Sequence, residues 1–544
     1  MSLKKYHYII SDIISSITDE LINKYSINSQ NINKVITENQ ILFHNLSWIA
    51  TYSQVVESLI NLKHTSENFK DNRLNLIFDY ATSYYLYKIL YGINLNQVEN
   101  TKLSDLDNYK YSSKIYKNKY IEKHLNSILL DSNITLISSY IIKNKERIFD
   151  CFKNSDNKMY LDELQKFVNS AILPNCNKWH INNELIPLDV LNKLSTMGIF
   201  SINIPNKYGG LNFNKQLLTL VSEELSRGYI GVGSLLTRND IASEIIIKYA
   251  SEDKCNEILP MLSKGLLIPS AVFTEPNCGS DLSKVNTTAT KTKVLGSTYY
   301  SINGTKTWIT HGSRSDLLIL LARTDIKSKG YSGLSLFSFK KKRGDKTNPF
   351  PDKNISGSEI PVIGYRGMKS YNIHFDNHLI PESSLIGTDE GLGFKQLMST
   401  FESARLQTAA RSNGLSVRAF ELALLYSLSR VQFDKKIFEF PRIYKKLVHM
   451  LINIFACKAF TLDVANDFEK KVRNTKESSM VKLFCANYAW INSDIALQIH
   501  GSYGYAQEYE ISRILCDSRI MSIFEGTSEI QAGIIAKELI KTRL

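Results

Sequence analysis

The stretch Tyr299-Tyr300-Ser301-Ile302-Asn303-Gly304-Thr305-Lys306-Thr307-Trp308-Ile309-Thr310 decides the fold. Its aromatic and β-branched residues read as strand, and Asn303-Gly304 predicts a tight hairpin turn between Tyr299–Ile302 and Lys306–Ile309. It lies in a segment, about 269 to 385, where the apolar period is two; Leu317 to Leu321 reads as a buried strand and Ser370 to Phe375 as another. Both flanks read as helical. From about 155 to 268 the helical pattern runs around the loop Ile204-Pro205-Asn206-Lys207-Tyr208-Gly209-Gly210, and after Gly391-Leu392-Gly393-Phe394 long helices continue to the end. Residues 1 to about 150 are helical as well, with Trp48, Tyr52, Val55, Val56 and Leu59 spaced as one buried helix face. The layout predicts an α+β chain of four parts: 1-150, 151-268, 269-388 and 389-544.

Length agrees with several domains, since 544 residues exceed one core at roughly 100–200 residues per domain. With 43% apolar and 22% charged residues the composition is that of an ordinary globular protein. The formal charge of +13 suggests contact with anions such as nucleic acid, a membrane surface or a phosphate-rich ligand. The lysines are spread through every segment beside abundant Asn, Ile and Tyr, a general bias rather than a basic patch, so nucleic acid is not expected as a partner. The seven cysteines are scattered without a C-x-x-C pair, so neither a disulfide framework nor a metal site is expected. Tyr8 to Ile17 is broken by Asp12 and lacks a signal-peptide cleavage pattern, and no stretch approaches the roughly 18 apolar residues of a membrane span. The expectation is a reduced, cytoplasmic protein.

Two segments of the β part could hold a planar ligand. In Phe273-Thr274-Glu275-Pro276-Asn277-Cys278-Gly279-Ser280-Asp281 the proline stops a strand, Gly279 lets the backbone approach, and Thr274 and Ser280 offer hydroxyls. In Trp308-Ile309-Thr310 the indole could cover a ring face and the hydroxyl bond its edge. Near the C-terminus, Ile523-Phe524-Glu525-Gly526-Thr527-Ser528-Glu529-Ile530-Gln531 sets an acid at a helix start. Ile523 and Phe524 would desolvate Glu525 and raise its pKa toward that of a general base. Gly526 would keep its flank open, and Ser528 with Gln531 reads as a capping box for a helix whose apolar stripe is Ile530, Ile534, Ile535 and Leu539.

In this order and on this layout, these segments resemble the acyl-CoA dehydrogenase family of flavoproteins. The resemblance covers about residues 155–544 and includes Gly364-Tyr365-Arg366-Gly367, Phe401 to Arg405, Arg430-Val431-Gln432-Phe433 and Gln498-Ile499-His500-Gly501. It implies a helical N-terminal domain, a middle β-barrel or sandwich domain and a C-terminal four-helix bundle, with the first 150 residues as an extra helical extension. It implies FAD as cofactor. Glu525 corresponds to the base that removes the α-proton of an acyl-CoA while the flavin takes the β-hydride. The alternative family position for the base, just before Arg405, is Ala404. Phe273, Thr274, Gly279, Ser280, Trp308 and Thr310 correspond to residues lining the isoalloxazine. Arg430, Phe433, Gln498, Gly501 and Gly504 correspond to positions reaching a neighbouring subunit's FAD, which implies a homodimer or homotetramer. Thr527 and Glu529 correspond to cofactor contacts, and Ser280, Glu402, Arg405 and Gly526 to substrate and CoA contacts.

The sequence departs from the family pattern at Asp434, Pro441, Ser502 and Cys516, and Trp-Ile-Thr is followed by His311 rather than the common Asn. The extension, with Leu46-Ser47-Trp48-Ile49-Ala50-Thr51-Tyr52, resembles the family's extended branch. That branch implies oxidation of (2S)-methylsuccinyl-CoA to mesaconyl-CoA in the ethylmalonyl-CoA route, with electron-transferring flavoprotein as acceptor. A free carboxylate on the acyl chain needs a buried cation or several donors. Arg238, in Thr237-Arg238-Asn239-Asp240 taken as opening a helix, is the candidate, with Arg411 second; pairing of Arg238 with Asp240 or Glu244 is the structural reading of the same residue. Two other functions stay open: a generic short- or branched-chain acyl-CoA dehydrogenase, and a DNA-associated flavin-binding protein of the same fold.

Overall fold

The computed structural model describes residues 2–65, 71–95, 99–153, 155–470 and 474–544. The chain forms two compact units, Leu164–Gln407 and Met1–Glu163 with Thr408–Leu544.

In the unit Leu164–Gln407, helices including Lys215–Gly228, Ile230–Tyr249 and Glu252–Ser263 precede a seven-stranded sheet. Leu317–Arg323 is its hub: it pairs in parallel with Pro269–Val272 and antiparallel with Leu334–Lys340. Its residues alternate between two cores. Leu318, Leu320 and Ala322 join Tyr300, Ile302, Phe337, Ile373 and Phe375 from the other strands, while Leu317, Ile319 and Leu321 join Ile245, Leu259 and Leu262 from the helices. A strand buried on both faces reads as an unbroken apolar run, which is what Leu317 to Leu321 is.

The expected hairpin at Asn303-Gly304 does not exist. Ser297–Thr310 is one long strand, paired with Thr288–Val294 and Ser370–Pro381, and Asn303-Gly304 sits in a bulge against the latter. The turn is instead at Leu295-Gly296, both at positive φ, which joins Val294 to its partner Ser297 in a two-residue loop. Gly304 is required for another reason: at φ +145 a Cβ would lie 2.7 Å from the Cα of Thr287.

In the other unit the extension and the C-terminal helices share one core. Trp48, Tyr52, Val55, Val56 and Leu59, on the helix Gln40–Thr65, are all buried, as their spacing predicts. The Tyr52 hydroxyl lies 2.8 Å from that of Tyr488, Tyr85 donates to Asn453 at 2.9 Å, and Ser58 donates to Asp463 at 2.6 Å. Phe78 meets Phe455, and Tyr52 meets Phe484, edge to face with ring centroids 5.4 Å apart. Each of these contacts joins an extension helix to Pro441–Glu469 or Thr475–His500. A short antiparallel pair, Ile93–Leu95 with Glu99–Thr101, interrupts the extension's helices. Two stretches, Lys119–Asn144 and Pro441–Glu469, are long and apolar enough to cross a membrane, contrary to the sequence expectation; 33% and 83% of their apolar windows are buried.

Candidate active site

The helix Ser528–Lys541 starts at a different cap from the one expected. Thr527, not Ser528, is the N-cap, its hydroxyl oxygen accepting from the N–H of Ile530 at 3.4 Å. The buried stripe is correspondingly Ala532, Ile535, Ala536 and Ile540, while Ile530 is exposed. Gln531 reaches back into the preceding loop instead. Fully buried, its side-chain amide donates to the carbonyl of Glu525 at 2.9 Å and to that of Gly526 at 3.4 Å.

Glu525 and Gly526 both have positive φ, +54 and +89, so the loop doubles back on itself just before the helix. A non-glycine residue in this region of backbone space is uncommon and marks a held conformation. Gly526 does not leave an open flank: a Cβ there would collide with the Gln531 amide. Lys482, buried on the helix Thr475–His500, donates to the Gly526 carbonyl at 2.6 Å. Arg411, also fully buried, lies 4.8 Å from the centre of the Phe524 ring and donates to Thr408 at 2.9 Å. Ile523 is exposed, and Glu525 itself is half-buried.

Elsewhere in this unit, Val431-Gln432 pairs with Lys435-Lys436 around a two-residue turn, Phe433 and Asp434, both at positive φ. Asp434 thus meets the conformational demand that a glycine would meet, and Phe433 is 87% exposed at the tip. Pro441 occupies the first turn of its helix, where a missing N–H costs nothing. The Arg430 guanidinium lies 5.7 Å over the Tyr503 ring. Gln498, Gly501 and Glu529 are exposed, and Gly504 is buried.

In the unit Leu164–Gln407 the two candidate ligand segments are adjacent. Glu275 and Cys278 exchange backbone bonds to close the 273–281 turn, and the Thr307 N–H donates to the Thr274 carbonyl at 2.9 Å. A buried ion pair that the sequence did not reveal fixes this arrangement. Lys306 Nζ lies 2.9 Å from Glu275 Oε1 and 3.0 Å from the Phe273 carbonyl, and the N–H groups of Asn286 and Thr287 donate to the same carboxylate at 2.7 and 2.8 Å. Burial pushes the Glu275 carboxyl up, but Lys306 and these donors outweigh it and hold its pKa below the usual range.

A second bulge in Ser297–Thr310, between Lys306 and Ile309, carries Trp308 at φ +60, and the residue is 56% exposed. Thr310 is buried, and its carbonyl accepts from Ser270. Gly279 and Ser280 are exposed, and a Cβ at Gly279 would find only Thr274 Cγ2, at 3.8 Å. An exposed tryptophan beside an open glycine turn fits a planar ring system with a polar edge, as a flavin has. Phe273 packs on the same core as Phe401, and the buried Arg405, three residues after the half-buried Glu402, lies 5.9 Å from the Phe401 ring.

Arg238 stands within Ile230–Tyr249 rather than at its start, and is nearly buried. Asp240 and Glu244, on the same helix, each lie 3.2 Å from Lys215 Nζ. His311 is fully buried. Burial first, then the charges of Arg314, Arg343, Arg238 and Lys341, pushes its pKa well below the ordinary value. Arg238 is thus one of several cations near His311.

Comparison with known proteins agrees with this architecture. The chain matches the acyl-CoA dehydrogenase N-terminal domain over residues 154–266, the middle domain over 270–378 and the C-terminal domain over 391–540. It belongs to the acyl-CoA dehydrogenase family, FAD-dependent oxidoreductases acting on CH–CH bonds, and its activity is that of an acyl-CoA dehydrogenase. It is 40% identical to (2S)-methylsuccinyl-CoA dehydrogenase of Cereibacter sphaeroides, over 93% of this chain and 92% of that one. It is 31% identical to the caffeyl-CoA reductase-Etf complex subunit CarC of Acetobacterium woodii, over 65% of this chain and 90% of that one. Butyryl-CoA dehydrogenase of Megasphaera elsdenii matches in structure with a TM-score of 0.66 at 27% identity, covering 71% of this chain and 99% of that one.

Proposed function

We propose that the chain oxidises (2S)-methylsuccinyl-CoA to mesaconyl-CoA, with Glu525 as the base. The observation that carries the substrate is the 40% match, which runs through the extension over 93% of the chain, where CarC covers 65%. The Glu525 carboxylate takes the α-proton, and the electrons of that C–H bond form the Cα=Cβ double bond as the β-hydride departs. FAD, when bound, supplies the two-electron acceptor for that hydride. The backbone N–H of Glu525 is assigned to the thioester oxygen, where negative charge develops. No acid competes for the base's role at the position before Arg405, which is Ala404.

Arg238 is assigned to the substrate's free carboxylate. Its burial and its place beside the buried His311 support that role. Trp308, Thr310, Phe273, Thr274, Gly279 and Ser280 are assigned to the flavin ring, Thr527 and Glu529 to the rest of the cofactor, and Ser280, Glu402, Arg405 and Gly526 to substrate and CoA. The exposed Phe433, Gln498 and Gly501, with Arg430 and Gly504, are assigned to a second subunit's cofactor in a homodimer or homotetramer. Electron-transferring flavoprotein is the acceptor, which the likeness to an Etf-complex subunit supports. Seven free cysteines suit a reducing compartment, the cytoplasm.

The test is anaerobic flavin bleaching with a panel of acyl-CoAs. Methylsuccinyl-CoA should bleach the flavin fastest, and Arg238→Ala should lose that reaction while keeping butyryl-CoA. Equal loss on both substrates would remove Arg238 from the account, and bleaching by butyryl-CoA but not methylsuccinyl-CoA would overturn the substrate.

A further inference from the structure

The helix Ser528–Lys541 is gripped from the extension at one point close to the Glu525 loop. Ser47, fully buried on the helix Gln40–Thr65, directs its hydroxyl to the Ala532 carbonyl at 2.7 Å, sharing it with its own helix's Phe43 carbonyl at 2.8 Å. Ala532 is buried and follows Gln531, whose amide holds the carbonyls of Glu525 and Gly526. Successive residues on a helix are about 100° apart, so any rotation that relaxes residue 532 also swings residue 531. The extension's first helix adds a grip further along, where Arg543 pairs with Asp19 at 2.5 Å.

We infer that the N-terminal extension is a positioning element for the catalytic carboxylate, with Ser47 setting the rotation of the helix whose Gln531 shapes the Glu525 loop. This rests on the reading of Glu525 as the base. Ser47 touches no reacting atom. It acts through Ala532 and Gln531 on a backbone already held at positive φ, a conformation that persists only while its surroundings fix it.

The same extension helix supplies a control. Ser58 also buries its hydroxyl against the C-terminal helices, but on Asp463 of Pro441–Glu469 rather than on the helix Ser528–Lys541. The full-length FAD-loaded protein is prepared as Ser47→Ala, Ser58→Ala and Glu525→Gln. Amide hydrogen exchange is followed over residues 523–531, and single-turnover flavin reduction with KM is measured beside it. Ser47→Ala should speed exchange in 523–531 and slow flavin reduction about tenfold, as a base displaced by a fraction of its reach would, with KM changed by no more than about twofold. Ser58→Ala should leave the exchange and the reduction rate unchanged while lowering the melting temperature. Should Ser47→Ala not fold, Ser47→Cys, which keeps the volume and a weaker donor, should show the same direction.

Unchanged exchange and rate in the Ser47 variant, or equal effects in the Ser58 variant, would overturn the inference. If Glu525→Gln still reduced the flavin, the base would be misassigned, whereas the exchange of 523–531 would still decide whether Ser47 controls the loop.

Discussion

The ammonium of Lys482 lies 2.6 Å from the carbonyl oxygen of Gly526, the residue next to Glu525, and the whole lysine side chain is buried. A cation withdrawn from water is costly unless it is well held, so this one is placed rather than incidental. It holds the Gly526 carbonyl, while Gln531 reaches the carbonyls of both Glu525 and Gly526. Lys482→Met keeps the length and loses the donor. It should lower the rate of flavin reduction by about ten- to a hundredfold while FAD content stays near normal, measured by stopped-flow reduction and the flavin absorbance per protein. A rate within experimental error of wild type would mean that Gln531 alone holds the loop.

Lys306 and Glu275 form the buried pair that joins the 273–281 turn to the strand carrying Trp308. Removing one partner of such a pair leaves the other charge uncompensated. Lys306→Met should therefore destabilise the protein by about 3 to 5 kcal/mol in denaturant unfolding, and adding Glu275→Gln should recover part of the loss. A double variant no more stable than the single one would show that the backbone donors to Glu275, not Lys306, stabilise the turn.

His449 gives a pH dependence with a definite sign. Burial, then the charges of Lys445 and Lys88, lowers its pKa from 6.5 to about 4. Below pH 6.5 the unfolded chain takes up a proton that the folded chain refuses, so stability falls as pH drops, until the folded state also protonates near pH 4. The loss over that window is about 3 kcal/mol. His449→Gln should lose less stability between pH 7 and pH 4.5 in urea titrations than the wild type does. Parallel curves would assign the acid sensitivity to other groups.

What the sequence made legible depended on how local the cause was. The Trp48 to Leu59 face and the apolar run from Leu317 follow from side-chain period alone, and both are buried as expected. Asn303-Gly304 has the composition of a hairpin turn, yet Leu295-Gly296 turns the chain; Gly304 answers instead to the close approach of Thr287, just before the paired strand Thr288–Val294. Gln531 looked like half of a capping box; in fact Thr527 caps and Gln531 reaches back to Glu525 and Gly526. Lys482, Lys306 and Ser47 carry no motif. Their roles come from partners 33 to 485 positions away, or from one buried acid, which only the fold brings to them.

In the proposed reaction the carboxylate of Glu525 removes the α-proton. Glu525→Gln preserves the side chain's shape and removes its basicity. The direct measurement is anaerobic stopped-flow flavin reduction of this variant by methylsuccinyl-CoA, alongside its FAD content and its binding of acyl-CoA. FAD content and binding should be normal, with reduction slowed by about four or more orders of magnitude, the scale of losing a group on which a chemical step depends. Bleaching at near the wild-type rate would contradict this role of Glu525.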